Sequence, residues 1–158
     1  GKTASLIAVA AEIGALAAGA TEEQCEHYRA FGHALGLAYQ VRDDILGIWG
    51  DPKETGKPVG ADIRRRKKSL PVVYLLKYAK DNDKKWLNNI YSGSYEIAEP
   101  DVKSVLQIME NLGVRAYCQK MAQEQIVQAK AAIKNLSISE EAHVILDAIA
   151  EYFVTRKN

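Results

Sequence analysis

The chain has 158 residues, of which 47% are hydrophobic and 26% are charged, and its formal net charge is +1. This length and composition suit one globular domain with a sizeable core and exclude a disordered chain. The near-zero net charge gives no general argument for a nucleic-acid partner. Cys25 and Cys118 stand far apart and no Cys-x-x-Cys pair occurs, so we expect no disulfide framework and a reducing, cytoplasmic setting.

The first predicted element is a helix over residues 2–19. Apolar residues recur in it at helical spacing, with Glu12 as the interruption. The predicted apolar face consists of Leu6, Ile7, Ala10, Ile13, Gly14 and Ala17. Its many small residues permit the close approach of another helix. The run Ala4–Ala20 is too short and too interrupted to span a bilayer, so no membrane insertion is expected.

The second predicted helix begins after Thr21 and runs to about Trp49. Thr21 followed by Gln24 is a capping-box pattern, in which each side chain accepts a hydrogen bond from the other's backbone N–H. The predicted core side carries Tyr28, Phe31, Leu35, Ala38 and Ile45. A stripe of low volume consists of Gly32, Gly36, Gln40 and Gly47. Each interior Gly costs about 1 kcal/mol relative to Ala, and close packing against the first helix would justify that cost.

The end of this helix carries a polar face. Gln40, Asp43, Asp44 and Gly47 are spaced i, i+3, i+4 and i+7 and so lie on one side of the helix. Adjacent carboxylates repel each other unless a cation lies between them, and oxygen-only ligands suit Mg²⁺. The basic residues that follow are Lys53, Lys57, Arg64, Arg65, Arg66, Lys67 and Lys68. Acidic ligands followed by a basic loop are what a Mg²⁺–diphosphate group requires.

The rest of the chain is predicted to be a loop followed by further helices. Gly50, Asp51 and Pro52 end the second helix, and residues 51–66 are predicted to form a loop. Ser69 is the expected cap of a helix over residues 70–79 with Val72, Val73, Leu75, Leu76 and Tyr78 inward. After a break at residues 81–83, helices are predicted over residues 84–92, 100–112, 114–135 and 140–156, the last carrying Val144, Ile145, Ala148, Ile149 and Tyr152. No alternating strand pattern occurs, so the predicted class is all-α.

The stretch from Tyr39 to Pro71 resembles the second aspartate-rich region of the polyprenyl (isoprenyl diphosphate) synthases, which include the geranylgeranyl and farnesyl diphosphate synthases. The matching runs are Tyr-Gln-x-x-Asp-Asp-Ile-Leu, Gly-Asp-Pro, Thr-Gly-Lys-Pro-Val-Gly-x-Asp and Lys-x-Ser-Leu-Pro, in this order and spacing. The resemblance implies an antiparallel helical bundle of the isoprenoid synthase type. Since family members are about twice as long and the chain starts at Gly1 without Met, we expect residues 1–158 to be a single all-α domain, the C-terminal half of a synthase.

The resemblance also implies a reaction and its residues. The reaction is the condensation of isopentenyl diphosphate with an allylic prenyl diphosphate, as in a geranylgeranyl diphosphate synthase, with Mg²⁺ promoting ionisation of the allylic diphosphate. The implied metal ligands are Asp43 and Asp44, and the implied diphosphate contacts are Lys2, Thr3, Gln40, Lys57 and Lys67. Lys2, Gln40 and the two aspartates are expected to carry catalysis. The implied partners are these two diphosphates and a second copy in a homodimer, with no nucleic acid.

One residue departs from the family pattern Asp-Asp-x-x-Asp, because Gly47 stands where the third aspartate is expected. A non-catalytic subunit of a heteromeric synthase therefore remains an alternative. A terpene cyclase is a weaker one, since its Asn/Asp–Ser/Thr–Glu metal triad is not found. Room for an isoprenoid tail is a second explanation of the glycine stripe and is compatible with close packing. Arg64, Arg65, Arg66 and Lys68 match no family contact and are predicted to be solvated. The sequence contains one Asp-Asp pair, so this chain by itself is expected to be catalytically silent.

Overall fold

The computed structural model describes residues 1–155, with Asp81 and Val154 described by their backbone alone. The helices are α1 (Lys2–Ala17), α2 (Glu22–Trp49), α3 (Pro52–Thr55), α4 (Ala61–Arg64), α5 (Leu70–Tyr78), α6 (Asp81–Ser92), α7 (Glu99–Asn111), α8 (Val114–Ile133) and α9 (Glu140–Thr155). No strand occurs in these described residues, and the predicted all-α class is confirmed. The last position of the helix predicted over residues 140–156 lies outside the described residues.

The main helix boundaries follow the sequence signals, with two corrections. The capping box is formed: Thr21 N donates to Gln24 Oε1 at 2.9 Å, and Gln24 N donates to Thr21 Oγ1 at 3.3 Å. The predicted loop over residues 51–66 contains two single-turn helices, α3 and α4. The predicted break at residues 81–83 was wrong, because the chain is non-helical only at residues 79–80 and α6 begins at Asp81.

The chain divides into two compact units. Among the described residues, unit 1 comprises residues 1–42 and 120–155, and unit 2 comprises residues 43–119. The division falls inside α2 and inside α8, so each of these helices contributes to both units. That residues 1–158 form a single domain stays a prediction.

Unit 1 depends on direct backbone contact between α1 and α2. A Cβ placed on Gly36 would lie 2.4 Å from Ala4 Cα, and one on Gly32 would lie 2.6 Å from the Ile7 carbonyl oxygen. Real side chains do not tolerate such distances, so only glycine fits at these two positions. Close packing therefore explains this part of the glycine stripe. The remaining core of unit 1 is built from Phe31, Ala34, Leu35, Ala38, Ile126, Ala129, Ile133, Leu136 and Ala150.

The large apolar side chains of α1 and α9 lie mainly on exposed faces of these helices. In α1, Leu6 is 70% exposed and Ile13 58% exposed, while the buried residues are Ala4, Ala8 and Ala15. The small face is buried because it alone lets the two backbones touch. In α9 the exposed apolar residues include Val144, Ile145, Ile149 and Tyr152, whereas Ala150 is buried and Leu146 and Phe153 are partly buried against the core.

Unit 2 has a core made mainly of branched aliphatic side chains. Its fully buried residues include Ile45, Ile48, Ile63, Val72, Leu75, Leu87, Val102, Val105, Met109 and Val114. Helix α5 packs against α6 and α7, and α7 also packs against α4. Val73 and Tyr78, which were predicted to face inward, are 52% and 51% exposed. None of the helices in the described ranges combines the length and apolarity needed to cross a bilayer.

Candidate functional site

Three candidate site residues lie in unit 1, on α1 and α2. Lys2 and Thr3 open α1, and Gln40 lies near the point where α2 leaves the unit. The Thr3 hydroxyl donates to Gln40 Oε1 at 3.2 Å, although the two residues are 37 positions apart in sequence. The Lys2 side chain is exposed. The fold therefore brings Thr3 and Gln40 together and presents Lys2 to solvent.

In unit 2, three carboxylates converge on one ammonium group. Lys67 Nζ lies 3.4 Å from Asp43 Oδ2, 3.1 Å from Asp44 Oδ1 and 3.2 Å from Asp62 Oδ2. The Asp44 and Asp62 side chains are 7% and 8% exposed, while that of Asp43 is 45% exposed. We call these four residues the carboxylate cluster. Two predicted metal ligands and one predicted diphosphate lysine thus meet, together with an aspartate that the sequence analysis did not single out.

Asp44 has a structural role as well as its charge. Its Oδ2 accepts a hydrogen bond from Leu70 N at 3.0 Å, which satisfies a backbone donor in the first turn of α5. Ser69, the predicted cap, occupies the N-cap position, but its hydroxyl makes no capping hydrogen bond. The cap of α5 is therefore supplied by a carboxylate 26 residues away in sequence.

The carboxylates keep Lys67 charged. Burial by itself lowers the pKa of Lys67, but the contacts with Asp44 and Asp62 and their negative charges together outweigh burial and raise the pKa above its ordinary value. Lys67 is therefore a cation at any pH at which the protein works. The three carboxylates therefore favour a positive charge at the position of the Lys67 ammonium.

The backbone of Asp62 is held in place by hydrogen bonds of its own segment. The chain enters α4 through Gly60, which has φ of +76° and donates its N–H to the Ile48 carbonyl oxygen at the end of α2, at 2.8 Å. At the other end of α4, Lys67 N donates to the Asp62 carbonyl oxygen at 3.0 Å. These bonds connect α2, Asp62 and Lys67 through the backbone. Asp62 is part of the Thr-Gly-Lys-Pro-Val-Gly-x-Asp run, which is the sequence signal that could have identified it.

Two hydroxyl groups near the cluster lack partners. Ser69 Oγ and Tyr91 Oη are buried and have no hydrogen-bond partner within the described residues. Asp62 Oδ2 also has no hydrogen-bond partner there, because its contact with Lys67 is an ion pair without hydrogen-bond geometry. Burial, with the nearby Asp62 charge, raises the pKa of Tyr91 above its usual range. Buried polar groups are normally satisfied, so this region has more hydrogen-bonding capacity than the protein itself uses.

The donor set fits a hard divalent cation. All the candidate ligands are carboxylate oxygens, the class that Mg²⁺, Ca²⁺ and Mn²⁺ prefer. Within the described part of the chain, no three His, Cys, Asp or Glu side chains are already close enough together to hold a metal directly. The Lys67 ammonium explains that spacing, because it lies between the three carboxylates. Asp43 and Asp44, with Asp62 beside them, are the residues that would hold the cation.

Two arginines of the basic loop form hydrogen bonds with other parts of unit 2 and are not simply solvated. Arg64 donates to Glu99 Oε2 and to the Val59 carbonyl oxygen, each at 2.5 Å. Arg66, which has φ of +51°, donates to the Ile90 carbonyl oxygen at 2.8 Å and also to that of Tyr95. The prediction of solvated charge was wrong for these two residues. They tie the segment around α4 to the rest of unit 2.

Lys57 lies in the turn that follows α3. Gly56 ends that helix with φ of +67°, and the Thr55 hydroxyl accepts a hydrogen bond from Lys57 N at 3.3 Å. The Lys57 side chain itself is exposed. The turn therefore fixes the backbone of this lysine and leaves its ammonium group in solvent, where an anion can reach it.

Comparisons with known proteins give one answer. The sequence profile described as polyprenyl synthetase matches residues 1–109. The chain is 36% identical over 160 aligned residues to (2E,6E)-farnesyl diphosphate synthase of Mycobacterium tuberculosis, covering 99% of this chain and 44% of that protein. It is 40% identical to geranylgeranyl diphosphate synthase of the same species, covering 84% of this chain and 38% of that protein. The chain thus spans less than half the length of these relatives.

Solved structures agree with the sequence comparison. A polyprenyl synthetase from Streptomyces coelicolor superposes with a TM-score of 0.89 at 32% identity, covering 98% of this chain and 47% of that one. A polyprenyl synthase from Caulobacter crescentus, solved with calcium and isoprenyl diphosphate, superposes with a TM-score of 0.88 at 29% identity, covering 99% of this chain and 47% of that one. With the fold, the motif and the profile in agreement, this chain belongs to the polyprenyl synthetase family.

Proposed function

We propose that the protein containing this chain is a prenyltransferase that condenses isopentenyl diphosphate with an allylic prenyl diphosphate. Relatives named farnesyl, geranylgeranyl and geranylfarnesyl diphosphate synthase support this proposal. The observation that carries it is the carboxylate cluster, in which Asp43 and Asp44 converge with Lys67 at 3.1–3.4 Å. An arrangement of this kind can hold a cation and place an ammonium group next to it, which is what a diphosphate group needs.

The proposed reaction forms one carbon–carbon bond. The bond between C1 of the allylic substrate and its diphosphate oxygen breaks, and the electron pair leaves with the diphosphate. C4 of isopentenyl diphosphate bonds to C1, and a proton leaves C2 of that substrate. We propose the released pyrophosphate as the proton acceptor, since none of the candidate residues has the role of a nucleophile.

Each candidate residue has a part in binding the diphosphate. A divalent cation, which we propose to be Mg²⁺, would supply charge neutralisation for the leaving diphosphate. Asp43 and Asp44 would hold that cation, and Lys2, Lys57 and Lys67 would bind phosphate oxygens. The hydrogen bond from Thr3 fixes the orientation of the Gln40 amide beside the diphosphate. The choice of a divalent metal is supported by a Corynebacterium glutamicum relative solved with isoprenyl diphosphate and magnesium.

A labelled-substrate assay tests the proposal. The complete protein that contains this chain is incubated with radiolabelled isopentenyl diphosphate, an allylic diphosphate and Mg²⁺, and the extracted products are separated by chain length. We expect elongated prenyl diphosphates, and removal of Mg²⁺ with EDTA should abolish them. Cyclised hydrocarbon, or no product at saturating Mg²⁺, would overturn the proposal.

We also propose that the protein forms a homodimer. The support is the apolar surface on unit 1, where Leu6, Ile13 and Leu16 of α1 are 58–70% exposed. Soluble monomers rarely expose contiguous apolar patches of more than a few hundred Å², so these side chains are expected to be covered in solution. Sedimentation equilibrium decides, and a monomer at micromolar concentration would contradict the proposal.

A further inference from the structure

Gly47 and Asp62 compete for the same space in unit 2. A Cβ placed on Gly47 would lie 2.3 Å from Asp62 Oδ2 and 2.5 Å from Asp62 Cγ. Such distances are far inside van der Waals contact, so a side chain at position 47 and the present Asp62 carboxylate exclude each other. The Asp62 carboxylate thus lies where a side chain at position 47 would begin.

The Asp62 carboxylate belongs to the same charge cluster as the two adjacent aspartates. Its Oδ2 lies 3.2 Å from Lys67 Nζ, the atom that Asp43 and Asp44 approach at 3.4 Å and 3.1 Å. Oxygens that surround one ammonium group at nearly equal distances can also surround a metal cation once the ammonium has moved away. The three carboxylates therefore share one potential cation position.

Asp62 also has a binding capacity that the protein itself leaves unused. Its side chain is 8% exposed, yet its Oδ2 has no hydrogen-bond partner in the described part of the chain. A buried carboxylate oxygen without a hydrogen bond is costly, and one ion pair with a half-exposed lysine offsets that cost only in part. The position of Asp62 is nevertheless fixed through the backbone by the Gly60–Ile48 and Lys67–Asp62 hydrogen bonds. A buried carboxylate oxygen that has one ion-pair partner and no hydrogen bond can accept a further cationic partner.

We propose that Asp62 supplies the third carboxylate of the metal site, in place of the side chain that Gly47 lacks, and binds the divalent cation directly or through a metal-bound water. The pattern Asp-Asp-x-x-Asp is then completed in space rather than along α2. This inference rests on the proposed function, because it assumes that the carboxylate cluster holds a metal. It removes the reason to regard the chain as a degraded, non-catalytic subunit on account of Gly47.

The first test measures metal binding itself. Mn²⁺ is titrated into the complete protein, the free ion is followed by electron paramagnetic resonance, and Asp62→Asn is compared with wild type. We expect the Kd for Mn²⁺ to rise about tenfold or more, the range found when carboxylates supporting a metal are removed. Glu96→Gln, which removes an exposed acid of the same unit, should leave the Kd within twofold. An unchanged Kd in a folded Asp62→Asn protein would overturn the proposal.

A second test moves the carboxylate back to α2. Gly47→Asp alone should lose Mn²⁺ affinity or unfold, since its Cβ collides with Asp62. Gly47→Asp combined with Asp62→Ala removes the collision and keeps three acids, and we expect its Kd to return to within about threefold of wild type. If Asp62→Asn does not fold, the Kd for Mn²⁺ of this double substitution, called the swap variant, decides the test. A folded swap variant that binds Mn²⁺ more than tenfold weaker than wild type, or a swap variant that does not fold, would overturn the proposal.

The tests separate this inference from the proposed function. A wild-type protein that neither binds Mn²⁺ nor elongates prenyl diphosphates would contradict the proposed function and the inference with it. A wild-type protein that does both, with an Asp62→Asn variant that binds Mn²⁺ equally well, would contradict the role of Asp62 alone. If Asp62 served only to pair with Lys67, Asp62→Asn would lower the melting temperature without changing the Mn²⁺ affinity of the folded protein.

Discussion

Each of the two units has its own kind of internal packing. Unit 1 packs α1 onto α2 through alanine and glycine, so closely that Gly36 leaves no room for a Cβ beside Ala4. Unit 2 places charged groups in and around its interior, with Asp44 and Asp62 less than 10% exposed and Arg66 bonded to backbone carbonyl oxygens of residues 90 and 95. One unit is stabilised by contact between backbones, and the other also holds a set of buried charges.

This difference indicates that the two units contribute differently to stability and to chemistry. Close backbone packing gives a rigid helix pair with little chemistry of its own beyond the Thr3–Gln40 hydrogen bond. Buried carboxylates cost desolvation energy and are kept where they are paired or used. We therefore expect substitutions at the α1–α2 contact of unit 1 to act mainly on stability, and substitutions at the exposed acid of unit 2 to act mainly on activity.

The largest expected effect is on catalysis, at Asp43. In the complete protein, Asp43→Ala should lower Mg²⁺-dependent turnover by about a thousandfold, because a residue that holds the charge-neutralising metal is lost. The Asp43 side chain is 45% exposed, so the free energy of unfolding should change by less than about 0.5 kcal/mol. Elongation rates and urea unfolding measure the two quantities.

Asp44→Ala is the comparison that separates activity from folding at this motif. Asp44 is buried and caps α5 through Leu70 N, so its loss should also destabilise the protein by about 2 kcal/mol. A near wild-type rate for Asp43→Ala at saturating Mg²⁺ would refute the assignment of this carboxylate to the metal.

The next effect in size concerns the stability of unit 1. Gly36→Ala should lower the free energy of unfolding by about 3 kcal/mol, since its Cβ would lie 2.4 Å from Ala4 Cα and a helix backbone would have to shift. Gly14→Ala is the matched control. Nothing lies within 4 Å of a Cβ at that helical position, so we expect a gain of about 0.5–1 kcal/mol from helix propensity. Equal effects of the two substitutions in urea unfolding would contradict the close-packing explanation.

A smaller effect is expected at Lys67, where one substitution should act in opposite directions on two ligands. Lys67→Met removes the ammonium that competes for the three carboxylates, so Mn²⁺ should bind about tenfold more tightly. Binding of pyrophosphate in the presence of Mg²⁺ should become weaker, because a phosphate-binding charge is lost. Lys68→Met, at an exposed neighbour, controls for the general loss of charge. Weaker Mn²⁺ binding in Lys67→Met would show that the ammonium and the metal do not share a position.

The smallest effect tests the interior of unit 2 by pH. Burial, with the negative charge of Asp44, raises the pKa of the Cys118 thiol to about 11. The folded state therefore keeps the proton while the unfolded state loses it above its own lower pKa, so stability falls as pH rises. Between pH 8 and pH 10, wild type should lose about 1 kcal/mol more unfolding free energy than Cys118→Ser. An equal loss in both proteins, measured by urea unfolding, would place the thiol in a more polar setting.

Much of this molecule was determined by local sequence signals. The capping box at Thr21 and the Gly-Asp-Pro run after α2 fix the ends of the longest helix, and the spacing of Gln40, Asp43 and Asp44 places them within it. These are short-range effects that depend on side chains a few residues apart, so the sequence alone predicts them. The resemblance to the family was also local, since it rested on the stretch from Tyr39 to Pro71.

What the sequence did not determine involves residues that meet only after folding. Helical periodicity marks Leu6 and Ile13 as apolar, but which face of α1 is buried depends on the glycines of α2, and those select the alanine face because only it allows backbone contact. Asp62 follows Gly47 by 15 positions and lies on another helix, so no periodicity connects them. Gly60 and the two hydrogen bonds around α4 bring its carboxylate to Lys67. The helices and the acidic motif follow from short-range sequence patterns, whereas the meeting of Asp43, Asp44 and Asp62 around the Lys67 ammonium depends on tertiary packing.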